Sequence, residues 1–135
     1  MTVGALTIEV LGERLTICRL DANAEIPAWA FGSRPFLSIT RTAHELSIVA
    51  PTDEMPTKLA SGAREDGWRA LGLVGPFALT DVGVLLRVAA PLGAAGVSIL
   101  AIATFDTDYV LVHEDRLAAA VDALRAAGHE VVGPT

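Results

Sequence analysis

Cysteine is nearly absent: a single thiol, Cys18, excludes an intramolecular disulfide and suits a reducing compartment. It lies in the apolar-rich stretch Leu15 to Leu20 with no nearby histidine to activate it, so it reads as a buried structural thiol rather than a nucleophile. Charge is also sparse. Only 19% of residues are charged, the ten basic ones are scattered, and the net charge is −6, which excludes the concentrated Lys/Arg surface that nucleic-acid backbones require. The three histidines, His44, His113 and His129, are far apart and form no HxxxH or HExxH pair, so no metal site is expected. GxSxG, GxxxxGKS/T and GxGxxG are missing as well, which leaves no nucleophile elbow, phosphate loop or dinucleotide turn, and no cofactor is expected. The opening Met1-Thr2-Val3-Gly4 has no basic segment followed by an apolar run, so no secretion signal is read and a cytoplasmic location is expected.

A membrane helix is disfavoured too. The run Val82 to Thr104 is long enough to span a bilayer, but Pro91, Gly93 and Gly96 interrupt it, and Arg87 near mid-membrane would cost about 2.5–3.5 kcal/mol. Its period also changes, from helical up to Ala95 to strand-like from Val97, with Gly96 placed as a helix stop. What the chain does have is apolar material, 52% of residues, enough to give one compact domain or two very small modules sharing a core.

In the first half, Leu6, Ile8 and Val10 alternate with Thr7 and Glu9, a strand with one buried face. Gly12-Glu13 predicts a turn that returns Leu15 to Leu20 as the antiparallel partner. A short helix is expected around Trp29-Ala30-Phe31, and a second hairpin from Phe36 to Thr40 and Leu46 to Ala50. Pro51 to Asp66 reads as a connecting loop with one helical turn, dividing residues 1–64 from residues 65–135. The second half gives a strand over Trp68 to Val74, then a helix over Val82 to Ala95 with Val84, Leu85, Val88 and Leu92 on one face. Strands over Val97 to Ala103 and Tyr109 to Val112, a helix over Glu114 to Ala127 and a strand over His129 to Val132 complete it. That order, β-α-β-β-α-β, predicts a ferredoxin-like α+β module, with both helices on one face of an antiparallel sheet. Because Val97 to Ala103 is apolar on both alternating faces apart from Ser98, the other face is expected to be covered by the first half or by a second copy.

Two polar stretches stand where an apolar framework does not require them. In Thr80-Asp81-Val82-Gly83-Val84, at the start of the first long helix, Thr80 or Asp81 can act as N-cap and the free first-turn amides suit a carboxylate. In Thr104-Phe105-Asp106-Thr107-Asp108, between two strands, Asp106 and Asp108 suit an amino group; a solvated turn and an acid/base pair are the other readings. A split β-α-β topology would bring the two stretches together.

The segments Cys18-Arg19-Leu20-Asp21, Ile26-Pro27-Ala28-Trp29-Ala30, Phe36-Leu37-Ser38-Ile39-Thr40-Arg41-Thr42, Gly67-Trp68-Arg69-Ala70-Leu71, and Gly96-Val97-Ser98-Ile99 through Phe105-Asp106-Thr107-Asp108-Tyr109 resemble a family of small bacterial ACT domain-containing proteins. That family is similar to the CASTOR-type cytosolic arginine sensors and, more loosely, to the ACT modules of aspartate kinases. The resemblance implies a degenerate, mainly β, ACT-like module in residues 1–64 beside a complete one in residues 65–135. It implies a non-enzymatic regulatory protein that holds a small amino acid at an ACT–ACT interface, with Thr80 to Val84 on the α-carboxylate and Thr104 to Asp108 on the amino group or side chain. The animal sensors are longer, so the paired site here implies a homodimer that signals allosterically to a protein partner. The rival is an oligomerisation or interaction module that binds no ligand.

Overall fold

The computed structural model of the chain describes residues 4–135; Met1 to Val3, on which the reading of the N-terminus partly rests, lie outside the described residues. In chain order the elements are β1 (Thr7–Val10), β2 (Leu15–Leu20), α1 (Ala28–Phe31), β3 (Ser38–Arg41), β4 (Leu46–Pro51), β5 (Ala63–Leu73), α2 (Val84–Ala94), β6 (Ile99–Ala103), β7 (Asp108–His113), α3 (Leu117–Ala126) and β8 (Glu130–Val132). They form two compact units: Glu13–Trp68 is one, and the described residues up to Gly12 together with Arg69–Thr135 are the other.

The second of these units contains the predicted β-α-β-β-α-β succession, from the end of β5 to β8, with β1 added. Its strand order is β6-β7-β5-β1-β8. β1 runs antiparallel to β5, with Ile8 opposite Leu73 and Val10 opposite Leu71, and parallel to β8, with Ile8 opposite Val131. Two expectations are corrected here: β1 makes no hairpin with β2, and the sheet is mixed rather than antiparallel. The physical reason is that a place between two strands satisfies both backbone edges of β1, where a hairpin would satisfy one. It also buries Ile8 and Val10 in the core formed with Leu71, Val88, Leu92, Val121 and Leu124.

Helix α2 buries Val84, Val88 and Leu92, the spacing of one helical face, and ends at Ala95 followed by Gly96, whose φ of +74° only glycine adopts readily. The stretch before α3 tightens into a 3₁₀ turn, Glu114–Arg116, so the helix begins three residues later than its sequence pattern suggests. Among the described residues β6 pairs only with β7, which makes it an edge strand, and Ala101 and Ala103 are exposed in the single chain.

In the Glu13–Trp68 unit the order is β3-β4-β2-β5, with β3/β4 the predicted hairpin and α1 the predicted short helix. The core gathers Cys18, Ala30, Leu46, Ile48, Ala50 and Met55. Burial pushes the Cys18 thiol up, away from the thiolate form. β5 begins at Ala63, inside the stretch read as loop, because the charged Arg64-Glu65-Asp66 carries no apolar alternation even though its backbone pairs with β2. The β2/β5 register shifts between Leu15 and Ile17, a bulge in which Gly67 takes a φ of +88°.

Candidate ligand site

Leu73 closes β5, and Gly75 then brings the chain against the tip of the β6/β7 hairpin. A Cβ on Gly75 would lie 2.9 Å from the Phe77 amide nitrogen and 3.1 Å from the Asp106 carbonyl oxygen, so glycine is required for that approach. The Phe77 amide donates to the Asp106 carbonyl at 2.8 Å, and the Thr107 hydroxyl donates to the Leu73 carbonyl at 2.6 Å. The hairpin itself is closed by the Thr104 amide on the Thr107 carbonyl at 2.8 Å and by the Thr104 hydroxyl on the same oxygen at 3.0 Å. Thr104 and Thr107 therefore use their hydroxyls to build the turn. The Asp106 and Asp108 carboxylates make no hydrogen bond or ion pair among the described residues.

On the facing side, the N-cap of α2 is Gly83, at φ +78°, and no side chain caps the helix. This corrects the expectation for Thr80 or Asp81: the Asp81 carboxylate accepts instead from the Ala78 amide at 3.0 Å, closing the turn before the helix. The first helical bond runs from the Arg87 amide to the Gly83 carbonyl at 3.1 Å, so the amides of Val84, Leu85 and Leu86 precede the helical ladder.

Between these walls lies an open hollow of about 240 Å³, lined by Phe77, Ala78, Leu79, Asp81, Val84 and the whole of Ala103 to Asp108. Asp81, Val84, Thr104, Phe105, Asp106, Thr107 and Asp108 thus share one lining, while Thr80, Val82 and Gly83 do not contribute to it. Val82 is 89% exposed, and Gly83 acts through its backbone. Phe77, Ala78, Leu79 and Ala103 were missed by the sequence reading; the available signal was Gly75-Pro76, which marks where β5 must end close to another chain segment. The lining holds three carboxylates and no basic side chain.

The β-α-β-β-α-β succession, with a hollow at the start of its first helix, defines a small ferredoxin-like α+β module. The ACT domain family model matches residues 63–126, and a second model, described as an N-terminal domain, matches residues 13–58. A crystal structure of a protein from Agrobacterium tumefaciens superposes with a TM-score of 0.88 at 37% identity, covering 98% of this chain and 96% of that one. The mouse (Mus musculus) cytosolic arginine sensor for mTORC1 subunit 1 is 31% identical over 105 residues, which is 76% of this chain; the chain spans only 30% of that relative's length. The ligand-free regulatory subunit of aspartate kinase from Thermus thermophilus has a TM-score of 0.62 at 14% identity, covering 88% of this chain and 97% of that one, a likeness of fold. The chain belongs to the ACT domain-containing proteins.

Proposed function

We propose that the chain is an amino-acid-binding regulatory module whose ligand sits in the hollow between the start of α2 and the 104–107 turn, at the interface of two copies. The observation that carries this reading is the polarity of the hollow: it borders the uncapped start of α2 at Val84, and Asp81, Asp106 and Asp108 stand in the lining. Amides at a helix start favour an α-carboxylate, and the carboxylates favour ammonium or guanidinium groups. With three acids and no base in the lining, a cationic amino acid fits better than an acidic one. The arginine-sensing name of the mouse relative supports the same direction. A second copy is invoked because the open hollow of about 240 Å³ is smaller than the ~300–1,000 Å³ of complete small-molecule sites. Leu79 and Phe105 in its lining are also 70% and 78% exposed, apolar surface that a partner would cover. Occupancy would then change the dimer and be read by a protein partner. No catalytic role is assigned to Asp106 or Asp108.

The test is a thermal-shift screen against the common amino acids, followed by calorimetry. At about one hundred times Kd a ligand adds roughly 2.7 kcal/mol, raising Tm by several degrees. Asp106→Asn with Asp108→Asn should remove that shift and leave the dimer intact. A flat screen with dimerisation preserved would instead support the assembly module, which the exposed apolar residues favour.

A further inference from the structure

Pro91 lies inside α2 and has no N–H, so the carbonyl four residues earlier, that of Arg87, has no helical i to i−4 donor. Nε2 of His129 lies 3.0 Å from that oxygen. The other ring nitrogen, Nδ1, lies 3.0 Å from the Leu6 amide nitrogen, which can only donate. Nδ1 therefore accepts, the ring hydrogen is on Nε2, and Nε2 donates to the Arg87 carbonyl. His129 is 6% exposed, which leaves water little access to either bond. The backbone around it is equally held: the His129 amide donates to the Leu124 carbonyl at the end of α3, and the Glu130 amide donates to the Leu6 carbonyl. His129 thus joins the approach to β1 and the interior of α2 through its ring, and the end of α3 through its backbone amide.

We propose that His129 is a positioning residue for the N-terminal half of α2, replacing the hydrogen bond that Pro91 withholds and holding the helix start where it borders the hollow. Its consequence for ligand affinity rests on the amino-acid-binding reading; its effect on the helix does not. Without the ring, a proline inside a helix leaves a kink point one turn behind the Val84 to Leu86 amides.

The experiment is a double-mutant cycle of His129→Ala and Pro91→Ala, read by hydrogen exchange of the Arg87 to Ala90 amides in the full chain without ligand. His129→Ala alone should speed that exchange about tenfold or more, since the part-buried Arg87 carbonyl loses the imidazole donor. In the Pro91→Ala background, where the substituted residue supplies a backbone donor, the same replacement should change exchange by less than about threefold. Equal effects in the two backgrounds would overturn the proposal and make the ring a core filler. If His129→Ala alone fails to fold, His129→Gln decides the matter: exchange within about threefold of wild type supports a donor role, and a tenfold rise overturns it. Lysine and arginine affinities are measured in parallel by calorimetry. A loss on His129→Ala that Pro91→Ala restores extends the positioning role to the site, and an unchanged affinity overturns that extension. Absence of binding to the wild-type chain counts against the ligand reading alone, because the exchange cycle judges His129 without it.

Discussion

Asp66 shows how a single residue escapes a pattern-based reading. It stands in the stretch read as loop, yet the bulge at Gly67 turns its carboxylate to Thr16, which is fully buried, donates to Asp66 Oδ1 at 2.6 Å and lies 2.9 Å from the Thr52 hydroxyl. Arg64 adds an ion pair at 2.9 Å. The Thr16 hydrogen bond, followed by that of Arg64, holds the Asp66 carboxyl below its ordinary value. A lowered folded pKa stabilises the fold only while the group is ionised. The contribution is therefore complete above the unfolded value of about 3.9 and lost as pH falls through the lower folded value. Unfolding curves for Asp66→Asn should lie below wild type at neutral pH and converge with it in acid; curves parallel down to about pH 2 would deny the linkage. Gly67→Ala must hold a Cβ at φ +88° and should cost about 1–2 kcal/mol in urea unfolding. Gly75→Ala meets backbone atoms on two sides, so it should cost about 1–3 kcal/mol and weaken any ligand by displacing the hairpin tip.

At the scale of elements, local pattern located nearly every strand and helix but not the partners. The 3.6-residue spacing of Val84, Val88 and Leu92 and the stop at Gly96 were legible because helical hydrogen bonds are local. The place of β1 was not, since Ile8 and Val10 present the same alternation to any partner, and the choice of β5 and β8 depends on residues more than sixty positions away. The N-terminal extent of β5 was hidden for the opposite reason: its first residues are charged, and backbone pairing alone makes them a strand. A fragment of residues 65–135 leaves β5 and β8 without the strand between them and removes Ile8 and Val10 from the core. It should show no cooperative unfolding transition, and a synthetic peptide of residues 4–12 added in excess should restore one. A cooperative transition in the fragment alone would show that β1 is dispensable.

At the scale of the molecule, the proposed dimer makes the sharpest demand. If Leu79 and Phe105 face a second copy, Leu79→Glu with Phe105→Glu should convert a dimer to a monomer in analytical ultracentrifugation and lower amino-acid affinity together, with little change in unfolding free energy because both side chains are largely exposed. A dimer that survives with affinity intact would place the interface elsewhere. The composition, the helical and strand periods, and the two polar stretches at 80–84 and 104–108 were determined by the sequence alone, because each rests on residues within a turn or a strand of one another. Tertiary structure alone decided that β1 enters the sheet beside β8 and that His129 serves the Arg87 carbonyl, which Pro91 cannot reach with an amide hydrogen. Each of these pairs a backbone group with a partner chosen by packing, and local sequence carries no record of which distant group will arrive there.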